Sequence, residues 1–283
     1  MTPISRRTLF GLAAVSAIPS FARTLDAVGV QLYTLRSVLP ADPLGTLRAL
    51  EQLGYREAEL TADNLDGVFT ALKQTSLKPV SLHMDTALFL TRQEELPAAL
   101  EDAKNRGIEY VVCPYIPPAN RGGAEVMQRL GDTLNKAGEM CRKLGLRLCY
   151  HNHAFEFEPS GDGTLLDVLL RASDAKLLGL ELDIMWARAA GVEPVSVLKQ
   201  YANRVPLIHL KNLEPGLETR YTEQGMPASG FREVGNGVID IAKVLAAAAE
   251  AGVEHYFVEQ DQTPGDPLDS LRQSYDYLAK LDF

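Results

Sequence analysis

Residues 177–212 decide how this chain is read. They contain LLGLELDI (177–184) and VPLIHLKN (205–212), two apolar runs separated by a helical pattern. A strand covered on both faces by helices is a nearly continuous stretch of Val, Ile and Leu, and both runs have that character. Each nevertheless carries an ionisable group near its C-terminal end, Asp183 in the first and His209 in the second. An acid or an imidazole is costly to bury without a partner. A metal ion, or a substrate at the mouth of a parallel barrel, would be such a partner.

The same alternation extends outward in both directions. Apolar runs at 27–35 (AVGVQLYTL), 55–60 (YREAEL), 78–84 (KPVSLHM), 110–115 (YVVCPY), 146–152 (LRLCYHN) and 255–261 (HYFVEQD) bring the total to eight. Helical patterns follow them over about 43–53, 65–75, 93–106, 122–144, 164–173, 193–203, 238–252 and 267–280. Asp42 before Pro43 is a start signal, and Gly54, Gly107 and Gly145 are stop signals. Eight strands in strict alternation with eight helices predict an α/β chain closed into a single (β/α)8 TIM barrel. An open doubly wound sheet normally has a Gly-rich turn after its first strand, and QLYTLRS stands there instead. The chain of 283 residues suits one such domain. The segment 213–237, with five glycines and two prolines, is the one connection long enough for a lid.

Composition narrows the function. Hydrophobic residues make up 46%, an ordinary globular content, and the formal net charge is −9. An acidic protein is poorly suited to gripping phosphate backbones, so nucleic acid is not an expected partner. No apolar run reaches the ~20 residues needed to span a bilayer. The N-terminus pairs Arg6 and Arg7 in SRRTLF with the apolar LFGLAAVSAIP and a small-residue site at 20–22. It resembles a twin-arginine export signal. Residues 1–22 are therefore expected to be a removable signal peptide and 23–283 the barrel domain. Its destination would be the periplasm or the exterior, without stable membrane insertion after removal. The three cysteines, Cys113, Cys141 and Cys149, form no C-x-x-C pair and are expected to be buried free thiols.

Active sites of such barrels lie at the C-terminal ends of the strands, and four of the five histidines fall there. Period-two alternation puts Glu181 with Asp183, His209 with Lys211, His151 with His153, and Glu259 with Asp261 on shared faces. If Asp183, His209 and Glu259 point inward, two carboxylates and an imidazole converge from strands six to eight. Mixed Asp/Glu/His ligation with room for water suits one divalent ion: Mn2+, Mg2+, Co2+ or Zn2+.

In this order and spacing, GLELDIMW, LIHLKN, EVGNG and FVEQD resemble the xylose-isomerase-like barrel superfamily, the sugar phosphate isomerase/epimerase family. The likeness runs from about residue 27 to the end. It implies a (β/α)8 fold and one divalent metal, often Mn2+. In ketose epimerases of the group the ligands are Glu, Asp, His and Glu on strands five to eight, and Asp183, His209 and Glu259 match three of them. The fourth does not match. Counting from Gly145 it falls on His151, with Glu156 reaching back, or a site of three protein ligands, as alternatives. The resemblance also places Trp186 near a substrate-binding His of those enzymes, where its ring is expected to stack on an apolar sugar face.

A divalent ion beside a hydroxy-ketone favours removal of the proton α to the carbonyl. Glu259, His153 and Lys211 are the expected catalytic acid and base groups, with Glu156 a further candidate. Tyr33, Glu59, His83, Trp186 and Glu156 are expected to contact substrate, and Glu181 to lie one layer deeper. The expected function is a metal-dependent isomerase or epimerase of a keto or aldo sugar. The rival within enzymes is a lyase or dehydratase of a keto-sugar, keto-glycoside or keto-inositol. A non-catalytic sugar-binding barrel is the rival of another class. All three take a small sugar or glycoside as partner. A barrel endonuclease would need more metal-ligating histidines and a basic face, and no Gly-rich loop supports a phosphorylated substrate.

Overall fold

The computed structural model describes residues 23–283; the expected signal segment lies outside the described residues. Eight strands line the barrel. They are β1 (Gly29–Gln31), β2 (Glu57–Thr61), β3 (Lys78–His83), β4 (Tyr110–Cys113), β5 (Arg147–His151), β6 (Leu178–Asp183), β7 (Leu207–Leu210) and β8 (His255–Val258). Every neighbouring pair is parallel, and β8 closes the barrel against β1. Around them lie α1 (Pro43–Leu53), α2 (Leu65–Leu72), α3 (Leu96–Asn105), α4 (Gly123–Leu144), α5 (Leu165–Ala172), α6 (Pro194–Gln200), α7 (Ile241–Ala251) and α8 (Pro267–Leu278). The chain is therefore a single (β/α)8 barrel. Among the described residues no helix is long and apolar enough to cross a membrane.

Local chemistry sets the helix ends. Asp42 caps α1 by accepting from Gly45 N at 2.9 Å, Pro43 fills the first helical position, and Gly54 ends the helix at φ 114°. Asp266 and Pro267 open α8 in the same way, with Asp266 accepting from Leu268 N at 2.8 Å.

The barrel interior has two parts. Its lower part is an apolar plug of Val80, Tyr110, Val112, Cys149, Leu207 and Phe257, all fully buried. The three cysteines are buried free thiols, and burial pushes the Cys141 thiol up to about 12. Above the plug the interior becomes polar, and the site stands there.

Three departures from the sequence reading bear on that site. The first strand stops at Gln31, whose side chain accepts from Tyr33 N at 3.0 Å and turns Leu32–Leu35 into a 3-10 turn. β6 runs straight into an additional short helix, Ile184–Ala189, because Asp183 serves as its N-cap. The glycine-rich connection is partly ordered by pairing of Asn212–Leu213 with Phe231–Arg232. In the EVGNG stretch, a Cβ on Gly237 would lie 2.4 Å from Asn212 Oδ1. That close approach lets Asn212 accept from Ile239 N at 2.8 Å and fasten the end of the connection beside β7.

Candidate active site

Strand register brings the polar residues together. His151 stands beside Glu181 across β5 and β6, Asp183 beside His209 across β6 and β7, and Gln31 beside Glu59 across β1 and β2. They form two layers. In the deep layer Glu59 Oε2 accepts from Gln31 Nε2 at 2.8 Å, and Glu181 Oε2 lies 2.7 Å from His83 Nε2. In the outer layer Lys211 Nζ lies 2.8 Å from Asp183 Oδ2, 2.5 Å from Glu259 Oε2 and 2.7 Å from Asp261 Oδ2. Two imidazoles join the layers. His209 offers Nε2 to Glu59 at 2.6 Å and Nδ1 to Glu259 at 2.8 Å. His151 has Nδ1 at 3.2 Å from Glu181 Oε2 and Nε2 at 3.8 Å from Asp183 Oδ2.

The electrostatics separate the histidines. Burial alone would lower His83, but Glu59 and Glu181 outweigh it and hold its pKa at about 9. His209 is likewise held well above the usual imidazole range by Glu181, Glu59 and Glu259 against burial. His151 is pushed well down by burial and by His209, and His153 by burial and by Lys211, so both are neutral imidazoles. Burial opposes the Lys211 ammonium, but Asp183, Asp261 and Glu259 outweigh it and keep it charged. Burial raises the Glu156 carboxyl to about 8.

A cavity of about 800 Å³ opens above the outer layer, at the C-terminal ends of the strands. His151, Glu259 and Asp261 reach its floor, and Tyr33, His83, Tyr115, His153 and Trp186 its walls. Glu223, Met226 and Phe231 come from the glycine-rich connection. That connection is tied across the mouth by Arg121, whose two terminal nitrogens meet Glu223 at 3.0 and 3.2 Å.

Most of the expected residues lie here, in altered roles. His151, Asp183, His209 and Glu259 each place one donor atom in a group whose members lie within 4.8 Å of one another. Lys211 stands among them, and His153, Tyr33, His83 and Trp186 line the cavity. Two expected substrate contacts are corrected. Glu59 is fully buried beneath the imidazoles, away from the cavity walls, because the carboxylate is drawn to His209 and Gln31. Glu156 is also fully buried, with Oε1 taken by the Tyr150 hydroxyl at 2.6 Å and Oε2 by His153 N at 2.9 Å. It fastens the backbone of His153 and does not line the cavity. The stacking expected of Trp186 is also altered. The residue is 2% exposed, its ring already packs against Phe231 and His153, and its Nε1 has no partner. Among the residues the sequence reading missed, Gln31 was discoverable as the one polar residue inside AVGVQL, whereas Glu223, Met226 and Phe231 sit in a segment without periodicity.

The outer layer fits a divalent ion. Asp183 spends Oδ1 on Met185 N and Trp186 N, both at 2.9 Å, while its buried Oδ2 faces the Lys211 ammonium, 2.8 Å away and shared with Glu259 and Asp261. Three carboxylates gathered on one ammonium leave an excess of buried negative charge, which a bound cation would balance. Two imidazoles and two carboxylates form a donor set suited to Mn2+ or Zn2+. An ammonium and a dication cannot share Asp183 Oδ2 and Glu259 Oε2, so Asp261 is the carboxylate left to Lys211 once an ion binds.

Residues 47–281 match the family model described as Xylose isomerase-like TIM barrel. The chain belongs to that family. Among curated proteins it is similar to an inosose dehydratase of Clostridium botulinum, 27% identical over 164 residues covering 53% of each chain. The chain thus spans about half the length of the curated relatives it matches. Its fold is that of a sugar phosphate isomerase/epimerase from Parabacteroides distasonis, with a TM-score of 0.76 at 20% identity over 90% of this chain and 96% of that one. It is also that of the IolI protein solved with a zinc atom, with a TM-score of 0.67 at 16% identity over 89% and 96% of the two chains.

Proposed function

We propose that this family member is a divalent-metal-dependent enzyme that enolises a keto-sugar or keto-cyclitol and completes the reaction by β-elimination. The observation that carries the proposal is the donor set of His151, Asp183, His209 and Glu259, of which His151 and Glu259 reach the cavity, with His153 on its wall and Lys211 buried beside the set. A bound ion, Mn2+ first among the candidates, would supply Lewis-acid polarisation of the substrate carbonyl. His153, a neutral imidazole held in place by Glu156, takes the proton α to that carbonyl. The C–H electron pair becomes a new C=C bond as the β C–O bond breaks. The Lys211 ammonium protonates the departing oxygen, so that a hydroxyl leaves as water. Asp261 holds the ammonium from 2.7 Å, while Glu259 belongs to the donor set. Tyr33, His83 and Trp186 bound the substrate.

Elimination is favoured over epimerisation by a missing carboxylate. The family resemblance implies a carboxylate pair on opposite substrate faces for epimerases, and this chain has His151 at one of those places. The inosose dehydratase relatives support the same choice. Isomerisation or epimerisation is the second reading, favoured by Asp261, a cavity-lining carboxylate beside Lys211 that could serve as the second proton carrier.

The test is deuterium exchange followed by NMR. The Mn2+-loaded protein is incubated in D2O with free ketoses, keto-glycosides and keto-inositols. The expected result is deuterium α to a carbonyl together with an unsaturated ketone, both lost on chelation. A saturated epimer as product would replace elimination by the second reading. A metal-loaded protein that exchanges no substrate proton in the panel counts against enolisation and favours a sugar-binding barrel. We also propose export through the twin-arginine pathway, on the SRRTLF segment alone. Cell fractionation and N-terminal sequencing should find a periplasmic or secreted chain beginning near Arg23; an uncleaved cytoplasmic chain would refute it.

A further inference from the structure

We propose that Glu181 is the positioning residue that makes His151 the fourth metal ligand. The proposal rests on the metal-site reading above and extends it to the open question of which side chain replaces the missing strand-five carboxylate.

The geometry supplies three reasons. First, Glu156 is set aside, because it is fully buried, holds the Tyr150 hydroxyl and the His153 backbone, and belongs neither to the cavity lining nor to the donor group. Second, a neutral imidazole ligates through one nitrogen only if the other carries the proton, and a carboxylate behind the ring fixes that arrangement and raises the basicity of the ligating atom. His151 turns Nε2 toward Asp183 and the outer donor set, and Nδ1 toward Glu181 Oε2 at 3.2 Å. His151 Nδ1 has no aligned hydrogen bond and Glu181 Oε1 has only His209 Nε2 near it, at 3.4 Å, although His151 and Glu181 are almost wholly buried. A small ring rotation driven by ligation at Nε2 closes the Nδ1–H on Glu181. Third, the two residues are register partners on β5 and β6 with inward-facing side chains, so the backbone itself holds them side by side. His209 has the same construction, with Glu59 behind its Nε2 at 2.6 Å and Nδ1 toward the outer set.

The replacement is therefore of a pair. A carboxylate ligand has no tautomer to fix; a histidine ligand at the same place has one, and Glu181 fixes it. The negative charge removed at residue 151 returns one layer deeper, where it acts through the ring.

The test is a double-mutant cycle in Mn2+ affinity, measured on the purified protein by competition with a chelator, with Co2+ absorption spectra reporting the ligand set. Wild type should bind one ion per chain. Glu181→Gln should weaken binding about 10–100-fold at unchanged stoichiometry. In a His151→Ala background the same change should weaken it by less than about threefold, because its route to the metal is gone. Equal losses in both backgrounds would mean that Glu181 acts only through its field, and would overturn the proposal. So would an unchanged affinity in Glu181→Gln. If that variant fails to fold, the exchange His151→Glu with Glu181→Gln decides. It should bind within about tenfold of wild type with a Co2+ spectrum altered by the loss of a nitrogen ligand, and a failure to bind refutes the exchange. A wild-type protein that takes up no Mn2+, Co2+ or Zn2+ sinks the metal site itself and the proposal with it, an outcome distinct from each of the others.

Discussion

The two ends of the barrel are built from similar residues and behave oppositely. At the N-terminal end, Glu254 meets Arg147 through two contacts of 2.8 Å and the Tyr110 hydroxyl at 2.9 Å, and Glu57 meets His255 at 2.8 Å. No side-chain atom of these residues is both buried and without a partner. At the C-terminal end, Glu59, His153 and Trp186 each keep a buried polar atom without a partner, and Asp183, Glu259 and Asp261 share the single ammonium of Lys211. One end is a closed set of charges, the other an open one. The lesson is that a cluster of His and Glu is not by itself a site. What marks the site is the mismatch between the donors gathered and the partners supplied, an arrangement that stability alone does not favour.

The hardest test of that contrast is Asp183→Asn. The amide oxygen still caps Ile184–Ala189, so the fold should persist, but the carboxylate oxygen that faces Lys211 and its charge are gone. Losing a metal ligand removes several kcal/mol of transition-state stabilisation, so turnover should fall by about 10³-fold or more. Bound Mn2+, measured by elemental analysis, should disappear with it. Retained metal with full activity would mean that Asp183 Oδ2 has no role at the site.

Lys211→Met probes the same end with two readouts of opposite sign. Removing a cation 2.8 Å from Asp183 and 2.5 Å from Glu259 should tighten Mn2+ binding. Turnover should nevertheless drop by about 10²–10⁴-fold, the usual worth of a proton-transfer group. If both fall together, the lysine is part of the metal scaffold and not an acid.

Glu156→Gln moves to the wall behind the site. The Glu156 carboxyl has its pKa raised from 4.5 to about 8 by burial. Between those values the unfolded chain ionises while the folded one keeps its proton. This contribution to stability is therefore intact below 4.5 and is lost as the pH rises toward 8. Glutamine cannot ionise and keeps both hydrogen-bonding positions. The variant should melt like wild type near pH 4.5 and gain on it by several degrees, at about 2–4 °C per kcal/mol, by pH 8. A constant difference across that range would show that Glu156 is ionised in the folded protein.

Much of this contrast was legible in the sequence. Apolar runs near Asp183 and His209 carry the barrel, because a strand covered on both faces tolerates few polar residues and makes each one conspicuous. Period two then orients Asp183, His209 and Glu259 together. The layering was harder to read. Glu59 and His83 also stand at strand ends, but whether such a group faces the cavity or the plug depends on how far each strand extends before the chain turns, and Gln31 turns the first one early. Glu156 was misjudged because its partner is the hydroxyl of Tyr150, an outcome of packing that no spacing encodes. The connection 213–237 has no period at all. The contribution of Glu223 and Phe231 follows from Arg121, a residue 102 positions away from Glu223 in sequence.

The smallest effect belongs to the closed end, and its smallness is informative. Glu254→Gln breaks the pairing with Arg147, but the two side chains are 44% and 46% exposed, so the loss should be at most about 1 kcal/mol. That corresponds to a fall in Tm of about 2–4 °C. Hydrogen bonding from Arg147 holds the Glu254 carboxyl below 4.5, burial opposing. A depressed carboxylate pKa stabilises the fold above the unfolded value and loses that contribution as the pH falls through the folded one. The melting difference between the variant and wild type should therefore be full at pH 7 and close as the solution is acidified below 4.5. The apolar plug of Val80, Val112, Cys149, Leu207 and Phe257 separates this end from the donor set, so metal affinity and turnover should stay within about twofold of wild type. A variant that lost activity while keeping its Tm would show that charge at the closed end reaches the site through the plug, and the division into one end for stability and one for chemistry would fail.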